Sequence, residues 1–576
     1  MSPLRIARRP VDGIGDWPAA LHPVLRRIYA ARGVRAPADI EHRLAGLLAP
    51  AALGGIDRAC ELLHAALAED APICVVGDFD CDGATGTAVA VRGLRLLGAR
   101  AVSYAVPNRF RHGYGLSPAV VEELAASAPR LLVTVDNGVA AHAGVAAAQA
   151  RGMRVIVTDH HLPGPTLPAA DAMVNPNVGD DTFPSKALAG VGVMFYVLLA
   201  LRARLRDAGW FAARGVPEPD LACLLDLVAL GTVADLVPLD RNNRILVEAG
   251  IRRVRSGKAS AGIAALIAAA KRDARKLVAS DLAFGVAPRV NAAGRLDDMR
   301  LGIECLLCDE PLRAAALAQS LSGINDERRQ LQAEMTEQAQ AAVQRWTGQG
   351  GARLPHGVVL FDPAWHHGVV GLVASRIKDA LNRPVIAAAP AEEGEDLLKA
   401  SGRSIAGFHL RDALAEIDAA EPGLLERFGG HAMAAGLTMR RAHLARFTAA
   451  FEALAQRRIA AEALDAVLLT DGELAPEEFS LALATELRYA GPWGQGFPEP
   501  LFDGEFALDG WKVVGETHLK LTLRHPGSRT PLSAMAFGAY AGTPPPPRLR
   551  AVYQLEVDEW GGTPSLRLLV RGFEAV

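Results

Sequence analysis

The stretch Val75–Gly83 reads Val-Val-Gly-Asp-Phe-Asp-Cys-Asp-Gly, and it decides the fold of the first half of the chain. An apolar run is followed by carboxylates at every second position, and a helical pattern follows the glycine. That order predicts a buried β-strand, a tight turn and a helix. Unpaired carboxylates at the end of a buried strand are costly. A bound divalent metal is the usual reason to keep such groups together.

The same pattern returns twice further along the chain. Apolar runs end in Thr-Val-Asp-Asn-Gly at Thr134–Gly138 and in Thr-Asp-His-His at Thr158–His161. Strands alternating with helices at this spacing predict a parallel sheet with right-handed crossovers. Ligands bind at the carboxyl ends of the strands in such sheets. The predicted strands are Ile73–Gly77, Val102–Val106, Leu131–Val135, Arg154–Thr158 and Asp171–Val174, and the predicted helices are Ala84–Leu97, Pro118–Ala126 and Ala140–Ala150.

The acidic turn favours a metal site of the Mn²⁺ or Mg²⁺ type. A calcium loop of the EF-hand kind would need Glu at position 89, which is Val89 here. Mixed carboxylate and imidazole ligands suit Mn²⁺ or Mg²⁺ better than a closed zinc site. Neighbouring histidines on one turn cannot generally both reach one metal, so one is predicted to be a ligand and the other to face a phosphate. Asp235 ends an apolar segment and would be a buried carboxylate that needs a partner.

Glycine-containing basic segments predict phosphate contacts. The loop Pro107–Gly115 carries two arginines and a histidine at the same sheet edge, although a solvated loop is the alternative. In the second half, Trp365–Gly371, Ser401–Ser404 and Phe428–Ala432 place glycines beside Ser, Arg and His, which permits close approach of the backbone to a phosphate. His366 lacks nearby carboxylates, so we read it as a substrate contact rather than a metal ligand; a structural role is the alternative.

Bulk properties limit the class of protein. The chain has 576 residues, which implies several domains. The net charge is -3, so any nucleic acid must bind a local basic surface. Six cysteines in mostly apolar stretches predict a cytoplasmic protein without a disulfide scaffold. The longest uncharged apolar stretch, 187–201, is too short to cross a bilayer, and no membrane association is expected.

The predicted fold class is α/β with a C-terminal β-barrel. A long polar helix over 325–346 and a glycine-rich linker separate two α/β regions, and short alternating strands follow. The predicted divisions are an N-terminal helical segment at 1–50, a catalytic α/β domain at 51–240, a helical connector with a long linker helix at 241–350, a second α/β lobe at 351–460 and a barrel at 465–576.

Together these motifs resemble the RecJ family of the DHH phosphoesterase superfamily, which takes its name from the triplet found here at Asp159–His161. The motifs that carry the resemblance occur in the family's order: 78–83, 107–115, 135–138, 231–236, 288–295 and 428–436, with a weaker match at 491–498. The resemblance implies a DHH domain, a DHHA1 substrate-binding lobe and an OB-fold. It also implies a single-strand-specific 5′-to-3′ DNA exonuclease of repair and recombination that releases 5′-mononucleotides.

The resemblance and the motifs together give a set of expected site residues. The catalytic candidates are Asp136, Asp159, His160 and His161. The expected ligands of two Mn²⁺ or Mg²⁺ ions, roughly 3.5–4 Å apart, are Asp78, Asp80, Asp82, Asp136, His160 and Asp235, with Asp136 as the bridge. The expected substrate contacts are Asn108, Arg109, His112, Arg289, Asn291, Arg295, His366, Ser401, Arg403, Gly430 and His431.

Several points stay open from the sequence. Smaller DHH enzymes carry a histidine where this chain has Val76, so Asp78 is either a ligand or a support for one. The barrel's candidate contacts with single strands are Arg488, Trp493, Phe497, Lys512, Lys520 and Arg524, although the aromatic residues could equally be barrel core. The alternative functions are a phosphodiesterase for short oligonucleotides or cyclic dinucleotides and a single-strand-binding scaffold without activity. The expected partners are single-stranded DNA, single-strand-binding protein and a RecQ-type helicase, and a monomer is expected.

Overall fold

The computed structural model describes residues 5–108, 115–348, 354–392, 394–540, 542–560 and 562–576. The chain forms an N-terminal segment, an α/β domain, a helical connector, a second α/β lobe and a closed barrel. The predicted fold class is therefore confirmed. The first domain and the second lobe meet at His161 and His431, whose ring centres are 5.9 Å apart, and the predicted site residues come from both. The space between the two at this junction is called the cleft.

The first α/β domain follows a segment that contains β1 (Arg5–Arg8) and α1 (Pro23–Ala30). Its elements are α2 (Ile56–Ala68), β2 (Ile73–Val76), α3 (Cys81–Leu96), β3 (Val102–Ala105), α4 (Pro118–Ala125), β4 (Leu131–Val135), α5 (His142–Ala150), β5 (Arg154–Thr158), β6 (Ala172–Val174), α6 (Gly190–Asp207), α7 (Trp210–Arg214) and α8 (Leu225–Ala234). The sheet order is β3-β2-β4-β5-β6, and every pair is parallel. The three strands that precede the acidic and histidine motifs are thus neighbours.

Helix α3 begins three residues earlier than the apolar pattern predicts. The Asp80 side chain accepts a hydrogen bond from the Gly83 amide at 3.0 Å, which caps the helix and starts it at Cys81. Helix α5 differs in the other direction and begins at His142 rather than at residue 140. A residue predicted to bind metal therefore also fixes where the helix starts.

The connector is helical, as predicted, and leads into the second lobe. It comprises α9 (Arg241–Arg255), α10 (Ala261–Ala269), α11 (Ala279–Asp281), a π-helical turn (Leu282–Val286), α12 (Ala287–Leu296), α13 (Arg300–Leu307) and the long α14 (Pro311–Gly348). Met335, Ala339 and Val343 of α14 share a hydrophobic core with the second lobe. The Trp365 indole also donates to Gln338 at 2.8 Å. These contacts fix the second lobe to the end of the connector.

The second lobe is a mixed sheet covered by helices. Its elements are β7 (Val358–Phe361), α15 (Val370–Leu381), β8 (Val385–Pro390), β9 (Leu397–Arg403), α16 (Leu410–Ala420), β10 (Arg427–Gly430), β11 (Ala434–Arg440) and α17 (Leu444–Arg458). The strand order is β10-β11-β9-β8-β7, with only the β7–β8 pair parallel among the described strands. Strands β9 and β10 carry the serine, arginine and histidine motifs to one side of this sheet.

The C-terminal region forms the predicted closed barrel. After β12 (Val467–Thr470) and α18 (Leu481–Tyr489), the barrel strands are β13 (Phe502–Val514), β14 (His518–Arg524), β15 (Leu532–Ala536), β16 (Arg548–Asp558) and β17 (Ser565–Ala575). They close in the order β13-β14-β15-β17-β16. Strand β12 lies outside the barrel and belongs to a separate two-stranded sheet.

The N-terminal segment is not purely helical, which corrects the sequence-based prediction. Strand β1 pairs in parallel with β12, from Arg5 opposite Val467 to Arg8 opposite Thr470. No local pattern predicts this pairing, because the partner lies more than 450 residues away in the chain. The N-terminus therefore ties the barrel region to the first domain.

Aromatic packing reinforces this attachment and decides between two alternatives that the sequence left open. Trp493 is 8% exposed and Phe497 is 2% exposed, and both rings stack near Tyr29 of α1. The guanidinium of Arg244 lies 4.3 Å from the centre of the Phe497 ring. Of the two alternatives that the sequence left open for Trp493 and Phe497, the burial supports a place in the core over contact with single strands. These side chains join the barrel region to the rest of the molecule.

Arg32→Ala is expected to loosen this junction. Arg32 pairs with Asp471 through two contacts at 2.7 and 3.1 Å, and both side chains are almost fully buried. Removing the guanidinium leaves the buried carboxylate with the more distant Arg9, at 3.8 Å, and the Leu501 amide, at 3.0 Å. The expected cost is therefore about 3 kcal/mol, the lower end of the range for a broken buried ion pair. Hydrogen exchange should show faster exchange in β12 and the barrel, with the first sheet unchanged. Arg58→Ala, which removes an exposed pair with Glu61, serves as the control and should change little; equal protection in both variants would contradict the expected role.

Candidate metal centre and substrate cleft

The predicted ligands meet at the carboxyl edge of the first sheet. Asp78 and Asp82 follow β2, Asp136 follows β4 and His160 follows β5. Asp78, Asp82 and Asp136 are at most 3% exposed. Asp235 approaches from the end of α8. Because the parallel strands end at one edge, residues far apart in sequence form one cluster.

Three groups of possible ligand atoms occur in this cluster, each with its atoms within 4.8 Å of one another. The groups are Asp78 with Asp80 and Asp136; Asp82 with His160 and Asp235; and Asp136 with His160 and His161. Asp136 and His160 each belong to two of them. A carboxylate offers two oxygens and an imidazole Nε2 only one lone pair, so Asp136 is the better suited of the two to bridge two ions. The Nε2 atom of His160 lies 3.0 Å from Asp136, 3.5 Å from Asp235 and 3.9 Å from Asp82.

The carboxylates carry a large electrostatic cost when no cation is present. Burial, and then the charge of Asp80, raises the pKa of Asp82 to about 7. Burial and the neighbouring aspartates raise the pKa of Asp136 and of Asp235 well above the usual range. Such a cluster is stabilised by positive charge placed among the oxygens.

The two neighbouring histidines differ sharply in basicity. Burial, followed by the charge of His161, lowers the pKa of His160 to about 4. Burial also opposes protonation of His161, but the hydrogen bond and charge of Asp159 outweigh it and raise the pKa of His161 to about 9. A neutral imidazole can bind a metal and an imidazolium can bind a phosphate. These shifts suit His160 to the first role and His161 to the second, and the division of roles stays a prediction.

Asp159 lies behind this pair rather than in the ligand cluster. Its carboxylate contacts the His161 ring at 2.8 Å and accepts from the Val139, His160 and His161 amides at 2.9, 2.7 and 3.1 Å. These bonds hold the pKa of Asp159 below its usual value despite burial, which acts to raise it. The carboxylate is thus occupied in orienting the turn and the His161 ring. We therefore assign Asp159 a positioning role in place of the predicted catalytic one.

Helix α6 supplies contacts that the sequence did not reveal. The Gly190 and Val191 amides, at its first turn, donate to the two oxygens of Asp82 at 2.6 and 2.9 Å. A Cβ on Gly190 would lie 2.5 Å from the Cβ of Asp136, so only glycine allows this approach. The small-residue start of an otherwise apolar helix was the available signal. Asp136 itself has a left-handed backbone, with φ at 63°, and such strain is common at functional sites.

The donor set fits Mn²⁺ or Mg²⁺. It consists of carboxylate oxygens and imidazole nitrogen, which suit these ions, and within the described residues the three groups contain no thiolate. The Nε2 atom of His160 is buried and has no hydrogen-bond partner in the described part of the chain, although carboxylates surround it. A nitrogen in this position, with a low pKa, is suited to accept a metal.

The second lobe reaches the same cleft. The His431 ring stacks on His161 with ring centres 5.9 Å apart and an interplanar angle of 16°. Gly430 precedes it with φ at 137°, and the His431 amide donates to Ala434 at 2.7 Å. This turn between β10 and β11 brings His431 next to the candidate metal ligands, which are called the metal cluster.

Arg403 and Ser401 form a second polar group in this lobe. Arg403 donates to Ser401 at 3.0 Å and to the Gly402 carbonyl at 2.8 Å. Burial lowers the pKa of Arg403, and the structure records no carboxylate within ion-pair distance of it among the described residues. A Cβ on Gly371, in the first turn of α15, would lie 2.9 Å from the Ser401 hydroxyl oxygen. A partly buried guanidinium beside a helix N-terminus is suited to bind an anion.

Helix α12 joins the two sides of the cleft. Asn291 accepts from the Cys81 amide at 2.8 Å, which holds the acidic turn, and Arg295 donates to the Gly368 carbonyl at 3.4 Å. Arg289 donates to Ser322 at 2.9 Å and to the carbonyls of Gly285 and Ala269, so part of its guanidinium is used within the connector. His366 accepts from the Gly368 amide at 3.2 Å.

Two predicted contacts cannot be placed. Arg109 and His112 lie outside the described residues, whereas Asn108 is described and half-buried in the segment that follows β3. Among the described residues, no helix combines the length and apolar character needed to cross a bilayer.

Comparisons with known proteins agree with this geometry. The chain matches the family models for the "DHH family, N-terminal domain" over residues 72–232, the "DHHA1 domain" over 355–457 and the "RecJ OB domain" over 470–572. It is 52% identical over 569 residues to "Single-stranded-DNA-specific exonuclease RecJ" of Dickeya dadantii, which covers 98% of both chains. The chain belongs to the RecJ family. The Escherichia coli relative of the same name is 49% identical over 570 residues, again with 98% coverage of both chains.

Solved structures of the RecJ family support the same assignment. The crystal structure of RecJ in complex with Mn²⁺ from Thermus thermophilus matches with a TM-score of 0.80 and 32% identity, covering 99% of this chain and 79% of that one. The corresponding complex with Mg²⁺ matches with a TM-score of 0.75 and 30% identity, covering 99% and 78%. The metal in each of those complexes is one that the carboxylate and imidazole set of this RecJ-family chain fits.

Proposed function

We propose that this protein is a metal-dependent, single-strand-specific 5′-to-3′ DNA exonuclease that releases 5′-mononucleotides. The observation that carries the proposal is the buried ligand cluster joined through Asp136, in a chain 52% identical to a single-stranded-DNA-specific exonuclease. The proposal places the protein in DNA repair and recombination in the cytoplasm, where its six cysteines would remain reduced thiols.

The proposed roles divide between metal binding and phosphate positioning. Asp78, Asp80, Asp82, Asp136, His160 and Asp235 would hold two Mn²⁺ or Mg²⁺ ions. Such ions, when bound, activate water and neutralise charge on the phosphate. His161 contacts Asp159 through Nδ1, so a protonated ring would offer its other N–H to a phosphate oxygen or to the leaving oxygen of a bound strand. Gly190 and Val191 keep the Asp82 carboxylate oriented through their amides.

We assign recognition of the 5′ phosphate to the second lobe. Ser401 and Arg403 offer a hydroxyl and a guanidinium, and α15 begins beside them. His431 faces the same cleft above His161. Asn108, Arg109, His112, Arg289, Asn291, Arg295, His366 and Gly430 complete the proposed substrate contacts. Charge on a terminal phosphate would then favour strands that enter by the 5′ end.

An end-label assay tests the proposal. Long single strands carrying a label at either end are incubated with Mn²⁺, alongside blunt duplex and cyclic dinucleotide. We expect the 5′ label to be released first as a mononucleotide, with little loss from duplex. Earlier loss of the 3′ label would refute the polarity. Hydrolysis restricted to short oligonucleotides or cyclic dinucleotides would favour the phosphodiesterase alternative, and binding without cleavage would favour the scaffold.

Arg403→Ala is expected to raise KM for 5′-phosphorylated strands about a hundredfold, because a charge-assisted bidentate contact to phosphate is lost. The matched control is Arg440→Ala in the adjacent strand β11, whose guanidinium pairs with Glu426. Steady-state kinetics on strands with a 5′ phosphate and a 5′ hydroxyl measure the effect. The KM increase should shrink with the hydroxyl strand; an equal increase for both would show that Arg403 does not bind the terminal phosphate.

The barrel retains a proposed role in holding long strands. Lys512 and Lys520 are exposed and opposite one another on β13 and β14, whereas Arg524 is exposed but paired with Asp509. Arg488 pairs with Glu559 at 3.5 Å. Docking of single-strand-binding protein or a RecQ-type helicase, and a monomeric state, are further parts of the proposal. Deletion from residue 465 would also strip β1 of its partner, so point substitutions at Lys512 and Lys520 test the barrel more cleanly.

A further inference from the structure

Phe284 is an exposed aromatic residue on an unusual helical turn. It is 74% exposed, and it lies in the π-helical turn Leu282–Val286 that precedes α12. Isolated exposed apolar residues are common on protein surfaces. A π-helical turn is rare, however, and frequently occurs at functional sites. Leu282 and Val286 are fully buried, so the turn holds the phenylalanine outward on a well-anchored backbone.

The residue begins a line of unburied positions that leads to the metal cluster. Phe284, Pro288, Asn291 and Arg295 are all unburied, while Val290 and Ala293 on the opposite side are fully buried. The spacing of four, three and four places the unburied residues on one helical face. Asn291 holds the acidic turn and Arg295 contacts the second lobe. Phe284 thus lies about two helical turns, or about 10 Å, from Asn291, the residue that contacts the acidic turn at Cys81.

Two guanidinium groups lie beside Gly285, the residue that follows the phenylalanine. Gly285, the next residue, has its carbonyl bound by Arg289, and a Cβ at that glycine would lie 3.4 Å from Nε of Arg272. Arg272 also pairs with Asp281 at 3.3 Å and remains exposed. An exposed aromatic ring with cationic side chains near its backbone has the composition of a single-strand binding surface, where bases stack and phosphates are neutralised.

We propose that Phe284 stacks on a base of the bound single strand while Arg272 and Arg289 contact phosphates beside that base. This site rests on the proposed function for the identity of its ligand, and it adds a binding position outside the metal cluster. A DNA strand fits better than a peptide because the unburied face leads to Asn291, which contacts the acidic turn at Cys81, and because two guanidinium groups lie near the start of that face. Phe284 is a positioning residue: it holds the strand so that the terminal phosphodiester reaches the metal cluster.

The test measures binding of strands that lack one base. A 5′-phosphorylated strand of about twelve nucleotides is prepared as a series with a single abasic site at each position. Affinity is measured in EDTA by fluorescence anisotropy, so that cleavage plays no part. With the unchanged protein, we expect one abasic position to weaken binding about tenfold, the size of one base–aromatic stack.

Phe284→Ala should weaken binding of the complete strand by the same factor and remove the sensitivity to that abasic position. Phe284→Trp should restore both, which a merely structural role would not predict. Leu312→Ala, at another exposed apolar residue of the connector, is the matched control and should leave affinity unchanged. Equal affinity of Phe284→Ala and the unchanged protein for the complete strand would overturn the proposal, as would retained sensitivity to the abasic position. Position-dependent binding without any cleavage in Mn²⁺ would support the stacking site and contradict the proposed exonuclease function.

Discussion

Asp136→Asn is expected to lower the rate of single-strand hydrolysis about a thousandfold while leaving DNA binding intact. Asp136 contributes to two of the three ligand groups, so its loss disturbs both proposed metal positions. Loss of several kcal/mol of transition-state stabilisation corresponds to a rate decrease of this size. Asparagine tolerates the left-handed backbone at this position, where φ is 63°, so the backbone should be retained.

The same substitution should stabilise the protein when metal is absent. Burial and four neighbouring aspartates raise the pKa of Asp136 far above its unfolded value. A raised carboxyl pKa means that the ionised form destabilises the folded state at neutral pH, and that this cost disappears below the unfolded pKa of about 4. In EDTA, the melting temperature of Asp136→Asn should therefore exceed that of the unchanged protein at pH 8, with a smaller difference at pH 5. Mn²⁺ should stabilise the unchanged protein more than the variant.

Thermal melts with and without Mn²⁺, paired with a gel-based cleavage assay, measure both effects. The matched control is Asp226→Asn, which alters a fully buried carboxylate that accepts from the Leu227 and Ser260 amides. That variant should lose stability in every condition, because a satisfied hydrogen-bond acceptor is weakened, and should retain its response to Mn²⁺. Near-normal cleavage by folded Asp136→Asn would rule out Asp136 as the bridging ligand.

The cluster of candidate metal ligands could be predicted from the sequence because the positions of its residues follow from local strand and turn patterns. Asp78, Asp136 and His160 each follow a buried strand, and parallel strands bring their ends to one edge. The barrel was predictable from alternating short strands for the same reason. In both cases the periodicity of side chains within a few residues determines the outcome.

Contacts between segments far apart in the chain could not be predicted from such local patterns. Strand β1 pairs with β12 across more than 450 residues, and Trp493 and Phe497 are buried by that junction rather than exposed for DNA. The role of Asp159 was missed because its sequence context resembles that of a ligand, whereas its orientation toward His161 depends on the fold of the turn. Likewise, the small-residue start of α6 marks a close approach but does not indicate that the Gly190 amide would reach Asp82, which is 108 residues away in the chain.

Gly190→Ala is expected to damage catalysis without removing any functional group. The added Cβ would lie 2.5 Å from the Cβ of Asp136, and 2.8 Å from both its Cα and its Oδ1. The clash involves backbone as well as side chain, so a rotamer change of Asp136 cannot relieve it. Either Asp136 or the start of α6 must move, and a movement of α6 would also displace the amides that orient Asp82.

A displacement of about 1 Å at such a site lowers the rate about a hundredfold, so kcat should fall by that factor and Mn²⁺ affinity should weaken. Gly192→Ala is the matched control in the same helical turn, because its added Cβ would approach only the flexible Leu188 side chain among the described residues, at 3.1 Å. Titration calorimetry with Mn²⁺ and single-turnover cleavage separate metal binding from chemistry. If both glycine variants lose stability equally but keep normal kcat, the close approach of α6 is only a packing contact. A selective loss in Gly190→Ala would instead show that the helix start sets the position of the carboxylate on which both ligand groups depend.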